Sequence, residues 1–473
     1  MENFIQMLNT KQKALEINLD TKIYGTFAEI GAGQEVARHF FQAGGAAGTI
    51  AKSISAYDMA MSDAIYGKEE SGRYVCESRL AKMLDREFNL LLNRLSSTRA
   101  SDTRFFAFAN TVAARSFHSQ NDGNGWIGVR FQHIAGAEAT DVVIHVRMLD
   151  NQNLLQQEAL GAIGVNLIYA CYFYLSEPGL FIRSLMDNLT VERIEIDMIR
   201  VSGPGFESRD PRLLNLELIK RHYSSAVIFD EKGHVIQPTD ALYKKDLLVL
   251  RGSFRPPTLV NLDMLAAGLE RFQKDLSADE HKNIVVLPEI SMSKLVERGE
   301  VDNSDFLARV DLLSALGQKV MISNKETFWG LNIYLKTMTK KRIAYVLGIY
   351  QLESLLDLEK YQNHPHGLLS AVGQSIGNQS KIYIYPAMDE KTKKLLKAKD
   401  CQVHEKVKGL LNYLIEVEQL IDVDKYHADY LCVWSRTVLK MIQNGESGWQ
   451  SMVPEIIAKT VEKKGLFGFQ SKK

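Results

Sequence analysis

The sequence lacks most of the marks of a secreted, metal-clustered or nucleic-acid-coating protein. Only four cysteines occur in 473 residues, Cys76, Cys171, Cys401 and Cys432, far apart in the chain. None forms a Cys-x-x-Cys or a metal spacing, which argues against a zinc ribbon, a redox dithiol and a disulfide framework. They read as core thiols in a reducing compartment, and the cytoplasm is the expected location. Neither sign of charge is in excess, since 57 Lys plus Arg meet 57 Asp plus Glu. A chain without a basic surplus has no electrostatic footprint for general nucleic-acid binding. Long apolar runs are missing as well. The longest, Leu160 to Leu175, holds Asn166 and is shorter than a membrane-spanning helix needs. It is expected to be a buried core helix, and no membrane partner is expected. The opening MENFIQMLNTKQK has no apolar h-region and no cleavage site. There is no low-complexity linker and no internal repeat.

What is present is ordinary globular composition, 45% hydrophobic and 24% charged. The length exceeds what one hydrophobic core supports, so several domains are expected. Residues 1–245 read as a mixed α+β domain. A helical pattern covers Val75 to Leu95. Strand-like runs follow at 105–109, 126–131 and 141–146, then a helix from Leu154 to Tyr174 and a strand at 194–199. Residues 225–237 read as a hairpin, with Asp230 to Gly233 as its turn. From Asp246 the pattern changes to strict alternation. Strands at 247–251, 283–288, 319–323, 342–348 and 381–386 are separated by helical segments, and each is a run of β-branched, aliphatic or aromatic residues. That grammar predicts a Rossmann-like, doubly wound parallel sheet over residues 246–400, with the strand starting at Leu247 in the middle. Residues 401–473 read as a helical extension.

The first strand-to-helix junction of this region carries the chemistry. It runs Arg251-Gly252-Ser253-Phe254-Arg255-Pro256-Pro257-Thr258. A glycine directly after the strand lets backbone approach a ligand. Thr258 is a good N-cap, and the helix it starts would aim free N–H groups at the sheet edge where such folds bind anions. Arg251 and Arg255 would add forked charge suited to phosphate.

This junction resembles the GSFxPPxxxGH segment of nicotinate-nucleotide adenylyltransferases, within the nucleotidylyltransferase superfamily. Gly252, Ser253, Phe254, Pro256, Pro257 and Thr258 match in order. Residues 285–294, with Lys294, are similar to the family's second strand and basic loop. Residues 309–323 and 327–352 follow its later elements, and the likeness covers about 140 residues. Residues 1–245 also resemble the long amino-terminal part of a bacterial family, some of whose members carry the same enzyme name. The resemblance implies a nucleotide-binding α/β domain, with ATP and Mg²⁺ used to transfer an adenylyl group to a pyridine mononucleotide. It implies Arg251, Gly252, Ser253, Phe254, Arg255 and Thr258 around the phosphates, and Lys294 and residue 261 as the catalytic positions. Asn261 stands where the family has its second histidine, and it cannot carry positive charge. Tyr350 replaces the family's GxDxL aspartate, and the closing ISSTxxR segment has no match after residue 386. The similar-looking LSSTRASDTR at 95–104 lies in the wrong place in the order.

Elsewhere, Gly31 and Gly33 form part of a GxGxxxA stretch, a second and weaker ligand candidate, among eight glycines from Gly25 to Gly72. The alternative for this region is close packing or a subunit contact. His39 reads as a core-edge histidine. His364-Pro365-His366 reads as a solvated loop without the cluster a metal needs, so no metal site is expected. Two functions therefore stand. One is a nucleotide-binding adenylyltransferase with a degenerate site. The other is a non-catalytic nucleotide sensor or assembly protein that self-associates as a homo-oligomer through residues 1–245.

Overall fold

The computed structural model describes residues 7–115, 123–207, 209–297, 299–362, 367–377, 379–389 and 391–470. The His364-Pro365-His366 loop lies outside them. The chain divides into two compact α/β units, Met1–Ser224 and Ser225–Lys473.

The first unit holds a six-stranded sheet of β1 (Ile23–Gly31), β2 (Ile50–Ser55), β3 (Arg104–Ala113), β4 (Gly123–Phe131), β5 (Thr140–Met148) and β6 (Ile194–Ser202). The order is β2-β1-β3-β4-β5-β6. β1 runs parallel to β2 and β3, and the rest are antiparallel. β1 and β2 had no strand reading in the sequence, because their glycines and alternating small residues mask the pattern. Helices α1 (Thr10–Leu19), α2 (Val36–Ala43), α3 (Glu77–Leu95) and α4 (Asn153–Phe173) belong to this unit. The long apolar run is α4, and its residues from Ala159 to Cys171 are buried in the core with Phe27, Phe106 and Phe131. Among the described residues no helix is long and apolar enough to cross a membrane.

The second unit is built on an eight-stranded sheet. Its strands are β7 (Ala226–Phe229), β8 (Val235–Ile236), β9 (Asp246–Arg251), β10 (Ile284–Ser291), β11 (Val320–Ser323), β12 (Ile343–Gly348), β13 (Ser380–Tyr385) and β14 (Leu420–Asp422). The order is β14-β13-β12-β9-β10-β11-β7-β8. From β13 to β11 all pairings are parallel, and β9 is the central strand of those five. Every residue of β9 is buried, as a strand covered on both faces requires. Helices α5 (Leu259–Lys274), α6 (Asn303–Ala315) and α7 (Phe328–Met338) make the crossovers on this sheet, followed by α8 (Ile349–Leu355) after β12 and α9 (Ser435–Asn444) in the tail.

Two sequence readings change here. The hairpin β7–β8 adds antiparallel to β11, so it belongs to the second unit rather than to residues 1–245. The tail is not purely helical, because β14 pairs parallel with β13 and extends the sheet. Periodicity did not reveal β14, which is only three residues long. The tail also packs on α6. Val438, Ile442, Trp449, Ile457 and Val461 form one buried cluster with Ala308 and Leu312. That cluster fixes where α9 begins. Of the four cysteines only Cys171 and Cys401 are buried, while Cys432 is exposed.

Candidate functional site

The order of the parallel strands creates the site. From β9 the chain winds outward through β10 and β11, then returns to the other side of β9 through β12 and β13. At that reversal the loops after β9 and β12 leave in opposite directions, opening a crevice at the carboxyl ends of the strands. A cavity of about 710 Å³ lies there. Its lining comes from the ends of four neighbouring strands. Lys294 follows β10, Gly252 and Ser253 follow β9, Gly348 to Gln351 follow β12, and Tyr385 to Ala387 follow β13. Val260, Asn261 and Met264 of α5 and the segment 431–437 complete it.

The sequence-derived residues divide into those at the cavity and those beneath it. Gly252 and Ser253 line it. A Cβ on Gly252 would lie 3.0 Å from the Phe254 ring, so the glycine makes room for that ring. Phe254 was expected at the phosphates, and its side chain packs beneath the cavity. It is buried, and its backbone sits in the left-handed region at φ 46°, an unusual state for a side-chain-bearing residue. Thr258 is also fully buried and serves as the N-cap of α5.

Both arginines have carboxylate partners, and Arg251 also lines the cavity. The Arg251 guanidinium was expected beside phosphate, and in the structure it is engaged by protein groups. Its Nε and Nη2 donate to the two carboxylate oxygens of Glu289 at 2.6 and 3.0 Å. Nη1 and Nη2 also donate to the carbonyls of Glu326 and Lys325 at 2.8 and 2.5 Å. Glu289 is the register partner of Arg251 across β9 and β10, and it accepts from Ser323 Oγ on β11 at 2.6 Å. Burial of a charge demands such pairing, and Arg251 meets it inside the sheet. Arg255 pairs with Asp305 of α6 at 2.5 Å. Asp305 also pairs with Arg309, whose Nη1 donates to the carbonyls of Ser253 and Lys294 at 3.2 and 2.7 Å. Arg309 thus holds the loops after β9 and β10 in place.

Asn261 lines the cavity, but its Oδ1 is engaged. It accepts the N–H and the Oγ1–H of Thr258, both at 3.0 Å. The side chain therefore caps α5, leaving its Nδ2 as the available donor. Lys294 is exposed and makes no ion pair among the described residues.

Sequence reasoning missed the segment 431–437. It found no match to the family's closing motif after β13 and named no tail residue in its place. The structure instead begins α9 at the cavity, with Trp434 as N-cap position and no side chain capping its first N–H groups. Ser435, Arg436 and Thr437 line the cavity, and Arg436 is exposed without an ion pair among the described residues. The available signal was Ser435-Arg436-Thr437 immediately before the helical period of Val438 to Ile442. Among the described residues no Asp, Glu, His or Cys lines this cavity. Among the described residues, no group of three or more such side chains is placed to hold a metal.

In the first unit, Gly31 lines a separate hollow of about 340 Å³ with Gln34, Glu35, Tyr57 and Arg115. Gly33 does not line it. A Cβ on Gly31 would stand 2.2 Å from the Val112 carbonyl, and one on Gly33 would stand 2.0 Å from Asn110 Oδ1. Both glycines therefore permit close packing of the turn on β3. The N-terminus of α2 is already occupied by a carboxylate, since Glu29 accepts from Val36 N at 3.1 Å and Ala37 N at 3.4 Å. His39 is half-buried against Gly161, and burial lowers its pKa.

No family model matches the chain, and no curated protein matches it. Solved structures with some likeness include the competence/damage inducible protein CihA from Agrobacterium tumefaciens, at 16% identity and TM-score 0.26, covering 34% of this chain and 94% of that one. A competence damage-inducible protein A from Klebsiella pneumoniae has 15% identity and TM-score 0.25, covering 35% and 94%. A protein assigned as a nicotinate-nucleotide adenylyltransferase from Vibrio parahaemolyticus has 14% identity and TM-score 0.20, covering 48% of this chain and 97% of its own. Similarity this low says nothing about activity.

Proposed function

We propose that residues 225–473 bind a nucleotide at this cavity, with its phosphates beside Gly252, Ser253 and Lys294. One observation carries the reading. A hollow of about 710 Å³ sits at the carboxyl ends of parallel strands, at the point where their order reverses. Two helices, α5 and α9, start at it, and a helix start favours an anion through its free N–H groups and its dipole. Lys294 and Arg436 supply positive charge, and no acidic side chain opposes them in the lining among the described residues.

The same geometry supports binding over transfer. Adenylyl transfer depends on preorganised charge aimed at charge that develops. Arg251 and Arg255 are neutralised by Glu289 and Asp305, and Asn261 is a helix cap. The Mg²⁺ implied by the resemblance meets no carboxylate in the lining among the described residues. The proposal is therefore a nucleotide-binding protein whose transfer of an adenylyl group from ATP to nicotinate mononucleotide is slow or absent. Pyrophosphate release from these two compounds, read beside the thermal midpoint, tests this. ATP should raise the midpoint without turnover. Brisk turnover would make the protein a transferase, and an unmoved midpoint would remove the nucleotide reading.

A further inference from the structure

Four strand ends line the cavity, and their chemistry changes steadily from one side to the other. Lys294 lies after β10 and the small polar pair Gly252-Ser253 after β9. Tyr350 lies after β12, and Tyr385, Pro386 and Ala387 after β13. Three inter-strand spacings separate the extremes, about 14 Å. One side carries Lys294 and backbone donors. The other is aromatic, with Arg436 two residues beyond Trp434.

On the aromatic side two large rings are open to solvent inside a concave site. Tyr350 is 43% exposed and Trp434 36% exposed. Their ring centroids stand 5.6 Å apart, tilted by 52°. Tyr350 lies in the first turn of α8, and Trp434 is the N-cap position of α9, so both stand at helix starts. Gln351 anchors the first turn of α8 by donating to the Arg251 carbonyl at 3.1 Å and accepting from Gly348 N at 3.0 Å. The buried cluster of Val438 and Ile442 against α6 fixes α9. Exposed rings on rigid supports, beside a cationic end, match a ligand that has a flat apolar part and a charged part.

We propose that Tyr350 and Trp434 form an aromatic seat for the planar base of a mononucleotide whose phosphates lie toward Gly252, Ser253 and Lys294. The inference rests on the nucleotide reading above and adds the part of the ligand that the phosphate end does not specify. Trp434 supplies a stacking face, which tolerates any base because every base has one. Tyr350 supports the indole through their tilted ring contact. The seat thus governs affinity for the base and leaves phosphate binding to the other side.

Binding of ATP and of inorganic tripolyphosphate to the full chain separates the two parts. Trp434→Ala should weaken ATP about tenfold and leave tripolyphosphate unchanged. Trp434→Phe should restore most of the ATP affinity, because a stacking face returns. ATP should quench tryptophan fluorescence in the natural chain. That quenching should vanish in Trp434→Phe, although Trp126, Trp329 and Trp449 remain. An unchanged urea midpoint in Trp434→Ala is expected, since the ring is partly exposed. Loss of ATP and tripolyphosphate binding together in Trp434→Ala, or no loss of ATP, overturns the seat and leaves the phosphate site standing. Failure of the natural chain to bind either compound overturns the phosphate site, and the seat with it.

Discussion

Asn261 Oδ1 accepts the backbone N–H of Thr258 at 3.0 Å, so the residue standing where the resembled family has a histidine is a cap for α5. The cap keeps the helix start ordered beneath the cavity. Asn261→Ala should lower stability by about 1 kcal/mol, the usual cost of losing a cap, as read from urea denaturation. Asn261→His should lose a similar amount and gain no pyrophosphate release. An active His variant would mean that the rest of a transferase site is intact.

Arg251 and Glu289 form a second structural pair, buried between adjacent parallel strands. Removing one partner leaves an uncompensated buried charge. Glu289→Ala should therefore cost about 3–5 kcal/mol. Arg251→Lys should also destabilise, because an ammonium cannot reproduce the two-pronged contact. Chemical denaturation checks both. A loss under about 1 kcal/mol in Glu289→Ala would return Arg251 to the list of ligand-binding candidates.

These two pairs show where sequence reading reaches its limit. The parallel core from β9 to β13 was legible because each strand is a continuous apolar run bounded by a helical period. The glycine after β9 and the helix start at Thr258 were legible from local chemistry. The partners of Arg251 and Arg255 were not, because Glu289 and Asp305 lie 38 and 50 positions away in the chain. A lone arginine in sequence looks the same whether it faces phosphate or carboxylate. Trp434 and Arg436 were hidden for a related reason. Their place at the cavity depends on the tail packing on α6, which no local pattern records.

In the first unit, Glu29 predicts a pH dependence. Burial pushes its carboxyl up to about 7 from the ordinary 4.5, against the opposite pull of the Val36 and Ala37 N–H groups and the Asn110 amide. A raised folded pKa favours the protonated form. The stability this gives is complete below about pH 4.5 and is lost as pH rises through about 7. The natural chain should therefore lose stability between pH 5 and pH 8 relative to Glu29→Gln, whose side chain does not titrate. Parallel urea-midpoint curves for the two chains across that range would contradict this.

Gly33 makes a steric prediction for the same turn. Gly33→Ala would place a methyl 2.0 Å from Asn110 Oδ1 and force the turn away from β3. The expected cost is about 1–3 kcal/mol, by thermal or urea unfolding. No cost would show that the turn has room to move, and would restore a ligand-facing reading for this glycine.

At the β9–β12 reversal, Lys294 and Arg436 are the exposed cations proposed to attract a nucleotide to the cavity. Calorimetric titration of ATP into the full chain and into the double variant Lys294→Glu, Arg436→Glu tests this role most directly. Both side chains are exposed and make no ion pair among the described residues, so the double variant should fold as the natural chain does. Saturable binding to the natural chain that weakens with added salt is expected, with at least about a tenfold loss in the double variant. Equal affinity of the two chains for ATP, or no binding to the natural chain, would contradict it.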